Sequence, residues 1–109
     1  MLELWQTEWC PASQRIQTRL TELGVDYVSR QVPVDKEQRQ ALRRTTGSDT
    51  IPALVLEDDM VAIGEEEIRR YLDEQIVEPP EAEEHRLKAA KARRRYLEEE
   101  CECLQPATR

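Results

Sequence analysis

Leu2-Glu3-Leu4-Trp5 alternates apolar and polar positions, the period of a strand with one buried face. A loop from Gln6 to Cys10 follows, and Pro11 suits the first turn of a helix, where its missing N–H leaves no bond unmade. From Ser13 onward Ile16, Leu20 and Leu23 recur at helical spacing, and Gly24 supplies a C-terminal stop. Val25 to Val34 is rich in β-branched residues and predicts a second strand ended by Pro33. Asp35 is placed to cap a helix running to about Thr46, closed by Gly47. Ala53-Leu54-Val55-Leu56 is a short apolar run of the kind found in buried strands, and Glu57-Asp58-Asp59 turns it into Met60-Val61-Ala62-Ile63. After Gly64 a helix is predicted from about Glu65 to Gln75, with Ile68, Tyr71, Leu72 and Ile76 facing the core.

The resulting order is β-α-β-α-β-β-α. Strands one and two, joined through a helix, should lie parallel with a right-handed crossover, and the last two should form an antiparallel hairpin. An α/β architecture with a four-stranded mixed sheet and helices on both faces satisfies that order.

Glu78-Pro79-Pro80 marks a change of character. Residues 1–78 carry nine basic and sixteen acidic side chains, a net charge of -7, whereas residues 79–109 carry seven of each. A domain over 1–78 with a C-terminal helical extension over 79–109 is therefore expected. The extension should form one helix from about Glu81 to Cys103. Its Leu87, Ala90, Leu97, Cys101 and Leu104 fall on an a/d-like stripe interrupted by Arg94. That stripe is expected to dock on the domain or on a second copy of the chain, the latter giving a homodimer through the C-terminal helix. The overall charge of -7 argues against a nucleic-acid groove, which needs clustered cations. No run approaches the roughly 20 apolar residues of a membrane span, and no secretory signal is visible, so a cytoplasmic location is expected. Three cysteines, an odd count, suggest free thiols in a reducing compartment rather than a disulfide framework.

The chemistry concentrates at Cys10-Pro11-Ala12-Ser13, between the first strand and the first helix, and at Thr50-Ile51-Pro52 before a buried strand. A cysteine just ahead of a helix faces unpaired backbone N–H groups and the positive end of the helix dipole. Both favour the thiolate, the nucleophilic form. Ser13 sits where its hydroxyl can donate to the sulfur, but it cannot form a disulfide with it.

These residues carry a resemblance. The chain is similar to the glutaredoxins of the thioredoxin fold, and also to the N-terminal domain of glutathione transferases. Trp9-Cys10-Pro11-Ala12-Ser13 stands where glutaredoxins place Cys-Pro-x-Cys. Thr50-Ile51-Pro52 matches their Thr-Val-Pro, whose proline is cis, and Gly64-Glu65-Glu66-Glu67-Ile68 resembles their Gly-x-Asp-Asp-Leu. The similarity spans residues 1 to about 77. It implies that Cys10 attacks a mixed disulfide between a small thiol and a protein, with Pro11 and Ser13 completing the catalytic motif. It further implies that the backbone of Ile51, beside Thr50 and a cis Pro52, pairs with the cysteinyl part of a glutathione-like carrier. The N–H of Glu65 and the carboxylate of Glu66 would then hold its γ-glutamyl end. With Ser13 in place of a second cysteine, release needs an external thiol, unless Cys101 or Cys103 in the tail resolves the intermediate.

Departures from the family are visible too. The Lys that usually precedes the active cysteine is absent from Gln6-Thr7-Glu8-Trp9, and Glu8 opposes both a thiolate and an anionic ligand. Arg15 or Arg44 is a candidate replacement cation. Ile63 stands at a family glycine, and three consecutive glutamates meet the γ-glutamyl end. Glutathione, mycothiol and bacillithiol therefore all stand as candidate co-substrates, with a disulfide-containing protein or small molecule as the other partner. No metal is expected, because Cys101 and Cys103 with His85 do not make up a tetrahedral zinc set. Beside monothiol oxidoreduction stand three other readings: a non-catalytic thioredoxin-fold interaction module, an iron–sulfur cluster carrier, and a transferase-like or arsenate-reductase-like enzyme.

Overall fold

In the computed structural model, which describes residues 1–98, the chain runs β1 (Leu2–Gln6), α1 (Pro11–Leu23), β2 (Tyr27–Gln31), a 3₁₀ turn (Lys36–Gln38) and α2 (Gln40–Thr46). It continues through β3 (Ala53–Val55), β4 (Val61–Ile63), α3 (Glu65–Gln75) and α4 (Ala82–Glu98). The four strands form one sheet in the order β2-β1-β3-β4. β1 and β2 are parallel; β1 with β3 and β3 with β4 are antiparallel. This is the mixed sheet that the element order demands, and the architecture is thioredoxin-like.

Cross-strand register explains why helices cover both faces. Leu4, Leu54 and Ala62 are aligned neighbours on β1, β3 and β4, so they line the same face. Against them pack Ile16, Leu20 and Leu23 of α1 and Ile68 and Leu72 of α3. One position along each strand, Trp5 and Ala53 point the other way and meet Val32 and Leu42 of α2. The first face holds nine buried apolar residues and the second only three, so α1 and α3 are the firmly seated helices. Burying each such Leu or Ile is worth roughly 1.5–3 kcal/mol.

Helix ends follow the expected chemistry. Gly24 adopts φ 68°, and the N–H groups of Gly24 and Val25 bond back to the carbonyls of Thr21 and Leu20, closing α1. Because Val25 belongs to that cap, β2 is shorter than the Val25–Val34 run suggests. The ladder extends one bond further, from Val32 N–H to Gln6 C=O at 2.9 Å, before Pro33.

The second helix departs from expectation. Asp35 makes no side-chain cap, and the segment breaks into the 3₁₀ turn and α2 on either side of Arg39, whose φ and ψ are -93° and 41°. Arg39 is buried, and its guanidinium donates to three carbonyls: Pro33 at 2.8 Å, Val34 at 2.9 Å and Asp49 at 2.8 Å. Seating that charged fork among loop carbonyls takes precedence over a continuous helix.

The chain divides into two compact units, Met1–Glu78 and Pro79–Arg109. In the second, α4 opens with Glu83 and Glu84 in its first turn, where the macrodipole favours acids. Leu87, on the expected stripe, is 65% exposed. Cys101, Cys103 and Leu104 lie outside the described residues. Among the described residues no helix is long and apolar enough to cross a membrane.

Candidate functional site

Three pieces of backbone from the first unit carry the candidate residues. The loop after β1 turns sharply, with Cys10 N–H bonded to Thr7 C=O at 3.1 Å, and the first helical bond of α1 runs from Gln14 N–H to Cys10 C=O at 3.0 Å. Cys10 is thus the N-cap and Pro11 the first helical residue. The Gln14 side chain donates to Glu8 C=O at 2.7 Å and fastens the loop to the helix.

Ser13 is fully buried, and its hydroxyl accepts from Thr7 N–H at 3.5 Å. Cys10 remains half-buried, and its sulfur forms no formal N-cap bond. Burial pushes the Cys10 thiol up, but the Ser13 hydroxyl, the N–H groups of Ser13 and Ala12, and the charge of Arg15 outweigh it. The thiol ends below its ordinary range. Trp9, next in sequence, is 66% exposed. Glu8 is exposed as well, and the thiol is lowered with it in place.

The second piece is Thr50-Ile51-Pro52, whose Ile51–Pro52 peptide bond is cis. Pro52 is buried, and its carbonyl accepts from Gly64 N–H at 2.8 Å, which joins this segment to the start of α3. Thr50 is exposed, and its N–H is taken by Ser48 Oγ at 3.1 Å. Arg39 holds the carbonyl of Asp49 immediately before it.

The third piece is the N-terminus of α3. Gly64 sits at φ 89°, a conformation that favours glycine, and Glu65, Glu66 and Glu67 fill the first turn. Glu66 and Glu67 are exposed. Glu65 reaches back to α1, where Arg15 Nε and Nη2 donate to its carboxylate at 2.6 and 2.8 Å. Arg69 adds a longer contact at 3.5 Å. The bonds from Arg15 hold the Glu65 carboxyl below the usual carboxylate range. A groove lined by Ile63, Gly64, Glu65, Arg69 and Arg70 opens beside this turn.

The structure therefore gathers Cys10, Ser13 and Pro11 at one helix start, links Pro52 to Gly64, and links Glu65 to Arg15. It places Arg44 on an exposed part of α2, whereas the charge of Arg15 contributes to lowering the thiol. Two features were not legible beforehand. One is the Arg15–Glu65 pair, which joins residues 50 apart in sequence. The other is Arg39, whose only signal was that Asp35 to Gly47 offers a single buried apolar residue, Leu42, too little for a well-seated helix. Among the described residues no cluster of His, Cys, Asp and Glu is arranged to hold a metal ion.

A thioredoxin-like sheet that sets a lowered thiol at the start of its first helix defines a thiol protein of the thioredoxin fold. The family model for Glutaredoxin matches residues 2–61, more than half of the chain, and the chain belongs to that family. No curated protein matches the sequence significantly. Among solved structures, a glutathione transferase from Methylococcus capsulatus is 21% identical with a TM-score of 0.60, over 68% of this chain and 37% of that one. The buckwheat glutaredoxin–glutathione complex is 20% identical with a TM-score of 0.54, over 67% and 68%. A glutathione transferase homologue from Sulfitobacter with bound glutathione is 18% identical with a TM-score of 0.63, over 89% and 50%. The chain thus spans half or less of these two transferases, and at such identities the likeness shows the fold.

Proposed function

We propose that the chain is a monothiol thiol-disulfide oxidoreductase acting through Cys10, with glutathione or another low-molecular-weight thiol as co-substrate. The observation that carries this reading is the half-exposed Cys10 sulfur at the start of α1, lowered by Ser13 and Arg15. The functional domain is residues 1–78, with 79–109 as an extension.

In the proposed cycle the Cys10 thiolate attacks the carrier sulfur of a carrier–protein mixed disulfide. That S–S bond breaks, the protein leaves as a thiol, and a Cys10–carrier disulfide remains. A second carrier thiolate then attacks the carrier sulfur, Cys10 leaves as thiolate, and the carrier disulfide is released. Each turnover consumes one mixed disulfide and one carrier thiol and yields one protein thiol and one carrier disulfide. Ser13 has no sulfur with which to resolve the intermediate, so the second carrier does so. Cys101 and Cys103 are the alternative resolving thiols. The Ile51 backbone beside Pro52 would pair with the cysteinyl part of the carrier, and the Glu65 N–H with the Glu66 carboxylate would take its far end. The two structural neighbours that hold glutathione support a small-thiol co-substrate for Cys10.

The test is intact mass after separate incubation of reduced protein with glutathione, mycothiol and bacillithiol disulfides. A single adduct that is lost in Cys10→Ser supports exchange and names the carrier. No adduct from any of the three, with Cys10 still alkylatable, would leave an interaction module as the better description. An adduct whose turnover falls in Cys101→Ser/Cys103→Ser would replace the external thiol by a tail cysteine.

A further inference from the structure

The nucleophilic helix and the ligand-facing helix are tied by one charged contact. Arg15 lies one turn beyond Cys10 on α1, and both of its donating nitrogens go to the carboxylate of Glu65, the first residue of α3. Glu65 gains a second, longer contact from Arg69. The site has no lysine ahead of the thiol: Gln6-Thr7-Glu8-Trp9 supplies only a negative side chain. Arg15 is thus a cation that acts on Cys10, and Glu65 already occupies its fork. The α3 N-terminus, whose N–H groups attract anions, likewise carries three acids of its own.

We propose that the Arg15–Glu65 pair sets the charge preference of the thiol site: Glu65 acts as an internal competitor for Arg15, so that carriers with a carboxylate beside the reacting sulfur are disfavoured against neutral ones. This rests on Cys10 being the exchange nucleophile, and it makes Glu65 a specificity-determining residue through its side chain, separate from any role of its N–H. A carrier that brings no carboxylate to Arg15 fits such a site better than one that brings its γ-glutamyl carboxylate there. Both partners are partly exposed, with side-chain accessibilities of 57% and 27%, so the effect is that of a screened pair rather than a buried one.

The experiment compares alkylation of Cys10 by iodoacetate, which is anionic, and by iodoacetamide, which is neutral, following the Cys10 peptide by mass. Both reagents are attacked by the thiolate with loss of iodide, so their rate ratio cancels the thiolate fraction and reads the charge felt at the sulfur. Glu65→Gln should raise the iodoacetate-to-iodoacetamide ratio about two- to fivefold, the range commanded by an exposed ion pair. Arg15→Gln should lower it. Both changes should shrink at 1 M salt, where the screening length falls to about 3 Å. In the same variants, exchange with glutathione disulfide should gain on exchange with bis(2-hydroxyethyl) disulfide in Glu65→Gln.

An alkylation ratio unmoved by Glu65→Gln would overturn the proposal. So would a raised ratio with an unchanged preference between the two disulfides. If the wild-type protein exchanges with neither disulfide, the oxidoreductase reading fails and carrier selection falls with it. In that event the alkylation ratio still responds to Glu65, which tells the two failures apart.

Discussion

α1 starts with a thiol at its N-cap, a proline behind it and no acidic residue in its first turn, whereas α3 starts with Gly64 and three consecutive glutamates. Both helices are seated on the same sheet face, through Ile16 and Leu20 in one case and Ile68 and Leu72 in the other. Their scaffolding is alike and their N-terminal electrostatics are opposed. α1 leaves its positive end to the Cys10 sulfur, while α3 fills its own with carboxylates, one of which reaches across to Arg15. The same physical device, a helix N-terminus, thus faces a lowered thiol in one place and is occupied by the chain's own acids in the other. Composition of the first turn decides which.

Damage to the scaffold that the two helices share should have the largest effect. Ile16→Ala or Ile68→Ala, each fully buried one turn into its helix, should cost about 2–5 kcal/mol by denaturant unfolding. Loss of either should release Cys10 to the reactivity of a free thiol. Next in size is Arg39→Met, which leaves the carbonyls of Pro33, Val34 and Asp49 without their donor and should cost roughly 2–3 kcal/mol. Faster hydrogen exchange at Thr50 and Ile51 would locate that damage ahead of Pro52, away from both helix starts.

Smaller changes sharpen the contrast. Ser13→Ala removes the hydroxyl donor and should move the half-ionisation of Cys10 to higher pH, with Cys10 still able to react. Gln14→Glu puts an acid into the first turn of α1, making it resemble α3, and should move the thiol in the same direction. The smallest effect concerns stability against acid. The Glu65 carboxyl is depressed in the folded protein by Arg15, so its contribution is present above the ordinary carboxylate range and lost as pH falls through its lowered value. Wild type and Glu65→Gln should therefore differ slightly in Tm at neutral pH and converge in acid. A gap that widens on acidification would contradict the sign.

Much of the scaffold is readable from side-chain periodicity because local signals and tertiary packing agree. Ile16, Leu20 and Leu23 repeat at helical spacing, Gly24 closes the turn, and the predicted core positions of α3 are those that pack on the sheet. In the Asp35–Gly47 segment they disagree: a plausible cap and a terminal glycine suggest a continuous helix, but Arg39 is drawn inward by the loop carbonyls of Pro33, Val34 and Asp49. Val25–Val34 read too long because strand propensity does not reveal that Val25 is needed to cap α1. At the site, Cys10 and Ser13 were legible because they share one helix turn. Glu65's side chain was not, since its partner lies 50 residues away and sequence spacing gives no clue to such a contact.

We infer that the start of α1 makes Cys10 a better nucleophile than an ordinary cysteine. The most direct test is the rate of iodoacetamide alkylation of the Cys10 peptide as a function of pH. The account predicts a single ionisation with its midpoint below the free-thiol value of about 8.5, moving upward in Ser13→Ala. A midpoint at or above that value, unmoved by the substitution, would contradict it.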